Sequence, residues 1–206
     1  VGETKTCTVT NDDIGPTLIV IKHVINDDGG TAVAGDFTMT VTGSNPVPAS
    51  FPGAESPGTT VDIDAGSYSV GESGPAGYAA SYSADCIGSI AVGETKTCTV
   101  TNDDIGPTLT LVKVVVNDDG GTLGVGDFPL FIDGSPVTSG VANNVTANEV
   151  HTASETQQPG YSASVWGGDC AADGTITLLP GDNKTCTITN DDIGPTLTLV
   201  KVVVND

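Results

Sequence analysis

The chain carries little positive charge. Its 206 residues include 26 acidic side chains, six lysines and no arginine, which gives a formal net charge of −20. Proteins that bind nucleic acid or anionic membranes need clustered basic side chains to neutralise phosphate groups. The charge balance therefore excludes nucleic acid as a partner and predicts a soluble surface that favours divalent cations over anions.

Long apolar runs and catalytic motifs are also missing. No apolar stretch approaches the roughly 18 residues that a membrane-spanning helix needs, so we expect no membrane insertion in this segment. The sequence contains no G-x-S-x-G, no H-E-x-x-H and no phosphate-binding loop. Trp166, His23 and His151 form no recognisable catalytic arrangement. We therefore expect that the protein is not an enzyme.

An internal repeat dominates what is present. Residues 1–18 are identical to residues 92–109, and residues 190–206 are identical to residues 102–118. The repeat length of about 90 residues suits a small domain with its own core better than a turn of a helical solenoid. We therefore expect a window on a tandem array. Its predicted segments are the last strand of a preceding repeat (1–15), two complete repeats (16–104 and 105–192) and the first strand of a following repeat (193–206).

The residue pattern of each repeat is typical of β-structure. Apolar residues alternate with Thr and Ser, and clusters of Gly, Pro, Asn and Asp recur roughly every ten residues. We predict an all-β fold of tandem immunoglobulin-like β-sandwiches, with about seven strands each, in a linear array. The predicted strands lie near 17–25, 36–42, 59–63, 67–72, 78–84, 87–91 and 95–102, and near 108–116, 127–132, 143–147, 149–156, 161–166, 174–179 and 184–190.

Five cysteines follow the repeat. Cys98 and Cys186 lie in the same T-C-T context, and Cys86 and Cys170 precede them by short intervals. We predict the disulfides Cys86–Cys98 and Cys170–Cys186, with Cys7 pairing into the preceding repeat. The alternative is a metal site, but the sequence has no C-x-x-C and no Cys/His cluster. Disulfides imply an oxidising compartment outside the cytoplasm.

Alternation also puts a polar side chain on the inner face of three strands. Lys113 shares its side of the strand with aliphatic residues, Asn102 shares its side with a cysteine, and Glu72 shares its side with a tyrosine and a valine. Burying an amine, an amide and a carboxyl is costly unless these groups satisfy one another. The three groups either form a buried cluster or lie at strand ends where they reach solvent.

The order of three motifs along each complete repeat is distinctive. An aliphatic strand with a lysine comes first and reads L-T-L-V-K-V-V-V-N-D-D-G-G in the second repeat. A segment that reads Y-S-V-G-E-S-G-P-A-G-Y in the first repeat follows, and T-x-T-N closes each repeat. This order resembles the prealbumin-like (transthyretin-like) domains of SpaA-type Gram-positive pilins and of collagen-adhesin B-type (Cna B-type) stalks. The resemblance covers both complete repeats and implies a prealbumin-like β-sandwich.

In that family the lysine and the asparagine form a spontaneous isopeptide bond, assisted by the glutamate. An apolar core lowers the pKa of a lysine, so that a neutral amine can attack the amide carbonyl. A protonated glutamate polarises that carbonyl and passes protons as ammonia leaves. The resemblance implies these roles for Lys22, Glu72 and Asn102 and for Lys113, Glu155 and Asn190, with Asn11 and Lys201 pairing into neighbouring repeats.

The second repeat departs from the pattern. Its middle segment reads H-T-A-S-E-T-Q-Q-P-G-Y, so His151 and Ala153 stand where the first repeat has tyrosine and valine. In the first repeat a second lysine, Lys96, lies on the same face as Asn102. Lys96 is either an alternative partner of Asn102 or a solvated lysine beside a turn.

Pairs of aspartates recur at the junction between repeats and in the N-D-D-G-G turn. Oxygen-rich clusters suit Ca²⁺, although the sequence has no EF-hand spacing. The alternative is that these residues belong to solvated turns, and no other cofactor is predicted. The weak calcium candidates are Asp103, Asp104, Asp118 and Asp119.

A structural role fits these observations best. Near-identical units, an acidic surface, paired cysteines and short D-D-I-G-P junctions predict beads of an extracellular fibre, pilus-like filament or cell-surface stalk. The expected partners are neighbouring copies of the repeat, in one polypeptide or as strand-exchanged subunits with residues 1–13 inserted into a neighbour. The alternative function is a ligand-binding cell-surface adhesin that uses the variable loops 43–58 and 133–145.

Overall fold

The computed structural model describes residues 1–204, which divide into two compact units. Unit 1 comprises Val1–Asp27 and Thr31–Asp104, and unit 2 comprises Asp28–Gly30 and the residues from Ile105 onward. The main boundary between the units therefore lies within the D-D-I-G-P junction, between Asp104 and Ile105. The last two residues of the predicted segment 193–206 lie outside the described residues.

Unit 1 is built from two four-stranded sheets that share one core. Its strands are β1 (Thr17–Ile25), β2 (Thr38–Thr42), β3 (Ser50–Pro52), β4 (Thr59–Asp62), β5 (Gly66–Ser73), β6 (Tyr78–Tyr82), β7 (Ile87–Ile90) and β8 (Thr95–Asp104). The sheet orders are β4-β1-β8-β6 and β3-β2-β5-β7. Buried side chains from both sheets form one hydrophobic cluster, which is the core of a β-sandwich.

Unit 2 repeats this architecture. Its strands are β9 (Thr108–Val116), β10 (Leu130–Ile132), β11 (Ser135–Val137), β12 (Ala142–Asn144), β13 (Val150–Glu155), β14 (Tyr161–Ala163), β15 (Gly167–Gly168), β16 (Thr175–Thr177) and β17 (Asn183–Asp192). One sheet has the order β12-β9-β17-β14, with β15 also paired to β17, and the other has the order β11-β10-β13-β16. The chain is therefore all-β with tandem sandwiches, as predicted.

The first and last strands of each unit lie side by side and run parallel. β1 pairs with β8 along all of its 9 residues, and β9 pairs with β17 in the same way. The other ladders of the described residues are antiparallel. The parallel pair brings the lysine strand and the asparagine strand of each unit together.

Burial along the paired strands follows the predicted alternation. The inner faces of β1 and β9 hold aliphatic side chains and end at a lysine, while the intervening residues are half-buried or exposed. The inner faces of β8 and β17 hold the disulfide cysteine, an aliphatic residue, an asparagine and a final aspartate. The buried residues of β1 and β9 are Leu18, Val20, Lys22, Leu109, Leu111 and Lys113.

The structure has more strands than the predicted seven per unit, because β3, β11 and the two-residue β15 are additional. Two of these, β3 and β11, are short edge strands in the predicted variable loops. β3 lies within 43–58 and β11 lies within 133–145, and both contain a proline. Proline lacks the amide hydrogen of a central ladder, so a run that contains it is assigned to a loop by pattern alone. At the sheet edge this deficit is harmless, and the buried Phe51 anchors β3 to the core.

Two predicted strands begin later than expected. The strand predicted near 127–132 starts at Leu130, because Val125–Asp127 forms a 3-10 helix. The Asp127 carboxylate accepts a hydrogen bond from the Gly124 amide at 2.8 Å and so favours the helical turn. The strand predicted near 36–42 is shortened in the same way by a 3-10 helix that ends at Asp36.

Residues 1–16 and 193–204 contain no strand. Their predicted roles as strands of a preceding and a following repeat depend on neighbouring copies, so these assignments stay predictions. No helix among the described residues is both long and apolar enough to cross a membrane.

Candidate cross-link sites

In unit 1 the lysine and the asparagine of the predicted set meet inside the core. Lys22 on β1 is fully buried, and its Nζ donates a hydrogen bond to Asn102 Oδ1 on β8 at 2.9 Å. It also donates to the His23 carbonyl at 2.9 Å. Glu72 on β5 comes from the opposite sheet and lies 3.7 Å from Nζ, with its side chain only 8% exposed.

In unit 2 the same three residue types are closer together. Lys113 Nζ on β9 donates hydrogen bonds to Asn190 Oδ1 on β17 and to Glu155 Oε2 on β13, both at 2.5 Å. The Asn190 side chain is buried and the Glu155 side chain is 4% exposed. The lysine therefore contacts the amide and the carboxyl at once.

An aromatic ring covers each lysine. Nζ of Lys22 lies 4.3 Å from the ring centroid of Phe37, and Nζ of Lys113 lies 4.6 Å from that of Phe128. Each ring blocks the approach of water to the amine, so the amine meets only protein groups. Sequence patterns alone did not assign this role, although a phenylalanine stands in the same G-D-F context in both repeats.

The closing tyrosine of the middle motif holds that ring in place. Tyr161 packs edge-on against Phe128, with ring centroids 5.2 Å apart. Its hydroxyl donates to Asn117 Oδ1 at 2.6 Å and accepts from the Leu123 amide at 3.0 Å. Tyr78 has equivalent contacts in unit 1. The tyrosine therefore contacts both the N-D-D-G-G turn and the ring that covers the lysine.

Burial controls the charge of both amines. Burial lowers the pKa of Lys22, and the carboxylates of Glu72 and Glu55 offset only part of that effect. Burial likewise lowers the pKa of Lys113, against the hydrogen bond to Glu155. Both shifts raise the fraction of neutral, nucleophilic amine at a given pH.

Three buried side-chain nitrogen or oxygen atoms of the described residues have no hydrogen-bond partner, and all three belong to these sites, where one of them is also the ion-pair atom of Glu72. They are Glu72 Oε2, Glu155 Oε1 and Asn190 Nδ2. Buried polar atoms are normally paired, because an unpaired one keeps the full cost of losing water. Their concentration around two lysines indicates sites arranged for chemistry rather than for maximal hydrogen bonding.

The other predicted site residues lie elsewhere. Lys96 Nζ is within 3.6 Å of Asp85 and within 3.7 Å of Glu94, so this lysine belongs to a surface ion-pair group. Asn11 and Lys201 are exposed in the segments without strands. Their pairing with neighbouring repeats stays a prediction.

Both predicted disulfides are present. Cys86–Cys98 joins the segment before β7 to β8 and spans a sequence separation of 12, and Cys170–Cys186 joins the segment after β15 to β17 with a separation of 16. The fifth cysteine, Cys7, is free and exposed. Each bridge therefore ties the asparagine strand to an earlier segment of the same unit.

One of the four aspartates predicted as weak calcium ligands, Asp104, and a further aspartate, Asp192, accept hydrogen bonds within the fold. Asp192, which follows Asn190 on β17, accepts hydrogen bonds from backbone amides of the N-D-D-G-G turn. Asp104 accepts one from Asp27 in the same way. The exposed Asp118 lies near Asp191 and Asp192, with one carboxylate oxygen from each within 4.8 Å, whereas Asp103 and Asp119 are exposed.

The fold and these sites define a class, which is a prealbumin-like β-sandwich with a buried Lys–Asn–Glu set. The family model of the prealbumin-like fold domain matches residues 13–104 and 103–188, so the chain belongs to this family. No curated protein sequence matches the chain.

Three of the solved structures to which the chain is similar are the following. The Bacillus anthracis TIE protein is 17% identical with a TM-score of 0.47, and the match covers 88% of this chain and 34% of that protein, so this chain spans about a third of it. The major pilin from Streptococcus pyogenes is 14% identical, with coverages of 88% and 99% and a TM-score of 0.37. The C-terminal fragment of the pilus adhesin SpaC from Lactobacillus rhamnosus GG is 16% identical, with coverages of 91% and 100% and a TM-score of 0.35.

Proposed function

We propose that the chain is a structural repeat of an extracellular fibre, pilus-like filament or cell-surface stalk. Each unit is stabilised by its disulfide and by a Lys–Asn isopeptide bond. The observation that carries the proposal is the recurrence of the buried Lys–Asn–Glu set in two units whose middle segments differ in sequence. The bond forms once in each unit and involves no turnover.

The chemistry is best described in unit 2. The neutral Lys113 Nζ attacks the side-chain carbonyl carbon of Asn190, and a C–N bond forms. Glu155 accepts a hydrogen bond from Nζ. It takes up the proton that Nζ loses and delivers that proton to Asn190 Nδ2. The bond between that carbon and Nδ2 then breaks, and ammonia leaves. The products are a secondary amide and one ammonia, and no oxidant or cofactor is needed.

The unpaired Asn190 amide nitrogen supports this direction of reaction. Nδ2 is buried and donates no hydrogen bond. An unsatisfied buried polar group costs about 1–3 kcal/mol, and this cost disappears when the nitrogen departs as ammonia. The buried lysine also loses its ionisable amine, which removes the cost of keeping a charge in the core.

The position of the bond suits a protein under tension. The chain enters unit 1 at the lysine strand and leaves at the asparagine strand, and unit 2 has the same arrangement. A Lys22–Asn102 bond and a Lys113–Asn190 bond would carry load from entry to exit without unfolding the sandwich. An acidic, disulfide-bonded chain fits a location outside the cell or on its surface.

Intact mass of the purified, non-reduced chain tests the cross-link. We expect the sequence mass less two ammonia molecules and less the hydrogens lost in disulfides. Lys113→Met should restore one ammonia and leave the unit 1 loss intact. Lys184→Met is the matched control, because Lys184 has no buried asparagine partner among the described residues. This variant should still lose two ammonia molecules. A mass explained by disulfides alone would overturn the proposed bond.

The second candidate function is the ligand-binding adhesin. It is favoured by a cavity of about 420 Å³ beside the variable loop 133–145. The lining includes the carboxylates of Asp133 and Glu149, which suit a cationic or hydroxyl-rich ligand. The test replaces this loop with a Gly-Ser segment of equal length and measures binding to an extracellular-matrix protein or glycan. Binding that persists after the replacement would exclude this role.

A further inference from the structure

The N-D-D-G-G turn, which the proposed function leaves unused, is closed by a buried carboxylate from the last strand. Asp192 is only 6% exposed although it carries a charge. Its Oδ1 accepts hydrogen bonds from the amides of Asp118 at 2.9 Å and Asp119 at 3.1 Å, and its Oδ2 accepts one from Gly121 at 2.5 Å. Successive amides that converge in this way form an anion-binding nest.

The second glycine of the turn makes this closure possible. A Cβ built on Gly121 would overlap the Tyr161 hydroxyl and the Asp192 side chain. The turn therefore fits between the tyrosine that supports the lysine site and the aspartate at the end of β17.

Asp192 ties together the two strands that carry the reacting groups. Asn190 and Asp192 alternate onto the same inner side of β17. The turn directly continues β9, and Lys113 lies four residues before Asn117, the first residue of the turn. When the carboxylate closes the turn, it fixes the end of β9 against the end of β17. The separation of Lys113 Nζ and Asn190 Oδ1 depends on that register.

We propose that Asp192 is a positioning residue for the Lys113–Asn190 bond, and that Asp104 has the same role for Lys22 and Asn102. This inference rests on the proposed cross-link. In unit 1 the Asp27 amide donates to Asp104 Oδ1 at 2.9 Å, and Asp104 is 4% exposed. The repeated aspartates of the junction then serve to align the bond.

The test follows ammonia loss in each unit by mass spectrometry of proteolytic fragments through a time course of expression. Asp192→Asn puts an amide NH₂ against the nest, and we expect the unit 2 bond to form about 10- to 100-fold more slowly, as for reacting groups that are displaced by a fraction of an ångström or more. Asp191→Asn changes the exposed neighbour by the same chemistry and should react at the wild-type rate. Unit 1 in the same molecule is the internal control.

Two further variants separate positioning from general stability. Ile188→Val trims a core contact of the same strand and should lower stability without slowing ammonia loss. Asp192→Glu keeps the carboxylate and should recover part of the rate. If Asp192→Asn does not fold, Asp104→Asn gives the equivalent test in unit 1.

Each outcome has a distinct meaning. A wild-type chain that loses no ammonia overturns the proposed cross-link and the positioning role with it. A wild-type loss that Asp192→Asn shares at an equal rate overturns the positioning role alone. Calcium-dependent shifts of the Asp118 and Gly121 amide resonances would also overturn it, because Asp192 would then be a metal ligand.

Discussion

The two units bury the same polar side chains in one half of the sandwich and different polar side chains in the other. Their lysine strands share the same burial pattern, their asparagine strands are nearly identical in sequence, and both pairs form the same parallel ladder. On the opposite sheet, Tyr68 of unit 1 donates its hydroxyl to the Asp85 carbonyl at 2.7 Å, whereas His151 of unit 2 takes the equivalent position. The lysine half is constrained by chemistry, and the other half only has to satisfy a buried polar group.

His151 satisfies its polar atoms in a way that requires a positive charge. Its Nδ1 lies 2.7 Å from Asp133 Oδ2, and its Nε2 lies 2.8 Å from the Thr146 carbonyl. Both partners are acceptors, so both ring nitrogens must donate. Although burial alone lowers it, the hydrogen bonds to Asp133 and Thr146 raise the pKa of His151 above its ordinary value. Among the described residues, the charged groups that act on the ring are Asp133 and Glu149.

Removal of the disulfides should give the largest effect and should treat the units alike. The bridges close sequence separations of 12 and 16 residues. We expect Cys86→Ala with Cys98→Ala, or Cys170→Ala with Cys186→Ala, to lower the free energy of unfolding by about 3 kcal/mol, with only roughly 0.3 kcal/mol between units. Urea unfolding measures this, with Trp166 fluorescence for unit 2 and hydrogen exchange for unit 1. Wild-type stability in either double variant would contradict the prediction.

A substitution in the turn should cost less and should act on unit 2 alone. Gly121→Ala introduces a Cβ against Tyr161 and Asp192, and we expect a loss of about 1–3 kcal/mol from overpacking. Gly126→Ala is the matched control, because its Cβ meets nothing within 4 Å. Equal Trp166 unfolding midpoints for the two variants would show that the turn adapts without cost.

The histidine predicts a pH dependence that distinguishes the units. A raised pKa in the folded state stabilises unit 2 fully below the ordinary histidine pKa of about 6.5, and this contribution is lost as the pH rises through the folded value. We expect a loss of about 1–2 kcal/mol from unit 2, since the hydrogen bonds involve a charged group. Tyr68 gives unit 1 no such dependence, because burial raises its pKa further from neutrality.

Unfolding of unit 2 by urea, followed by Trp166 fluorescence from about pH 6 to about pH 9, measures this dependence. His151→Gln removes the titrating ring and should flatten the profile. A wild-type profile that is already flat would mean that the ring is neutral in the folded state.

The smallest expected difference concerns the rates of bond formation. Glu155 contacts Lys113 Nζ at 2.5 Å, but Glu72 lies 3.7 Å from Lys22 Nζ. Proton transfer requires hydrogen-bond reach, so we expect the unit 2 bond to form a few-fold faster. Mass spectrometry of unit fragments early in expression measures the ratio. Glu155→Gln should make unit 2 the slower unit, and a persistent lead would contradict a role for Glu155.

The strands that carry the sites could be predicted from sequence because their signals are local. Alternation along β1 and β9 identifies an inner lysine, and the repeat itself identifies the disulfide pairs. The edge strands β3 and β11 were missed, because a proline pattern does not distinguish a loop from a solvent-facing ladder.

Contacts between distant segments could not be predicted in the same way. Phe37 and Phe128 directly follow the 3-10 helices, and their rings lie over the lysines. No rule of residue spacing predicts that contact. The sequence patterns assigned no role to Asp192, which in the fold closes a turn. Its role depends on the parallel register of β9 and β17, which only the fold reveals.

The parallel pairing of first and last strands has a further consequence for a chain that is stretched. Force applied at Thr17 and Asp104 acts along the strands, in opposite directions, on a ladder that spans all 9 residues of β1. Such a ladder fails in shear, so its hydrogen bonds must break nearly together, whereas an antiparallel hairpin pulled at its open end would peel one bond at a time. Even before any covalent bond forms, the topology favours abrupt yielding at high force over gradual extension.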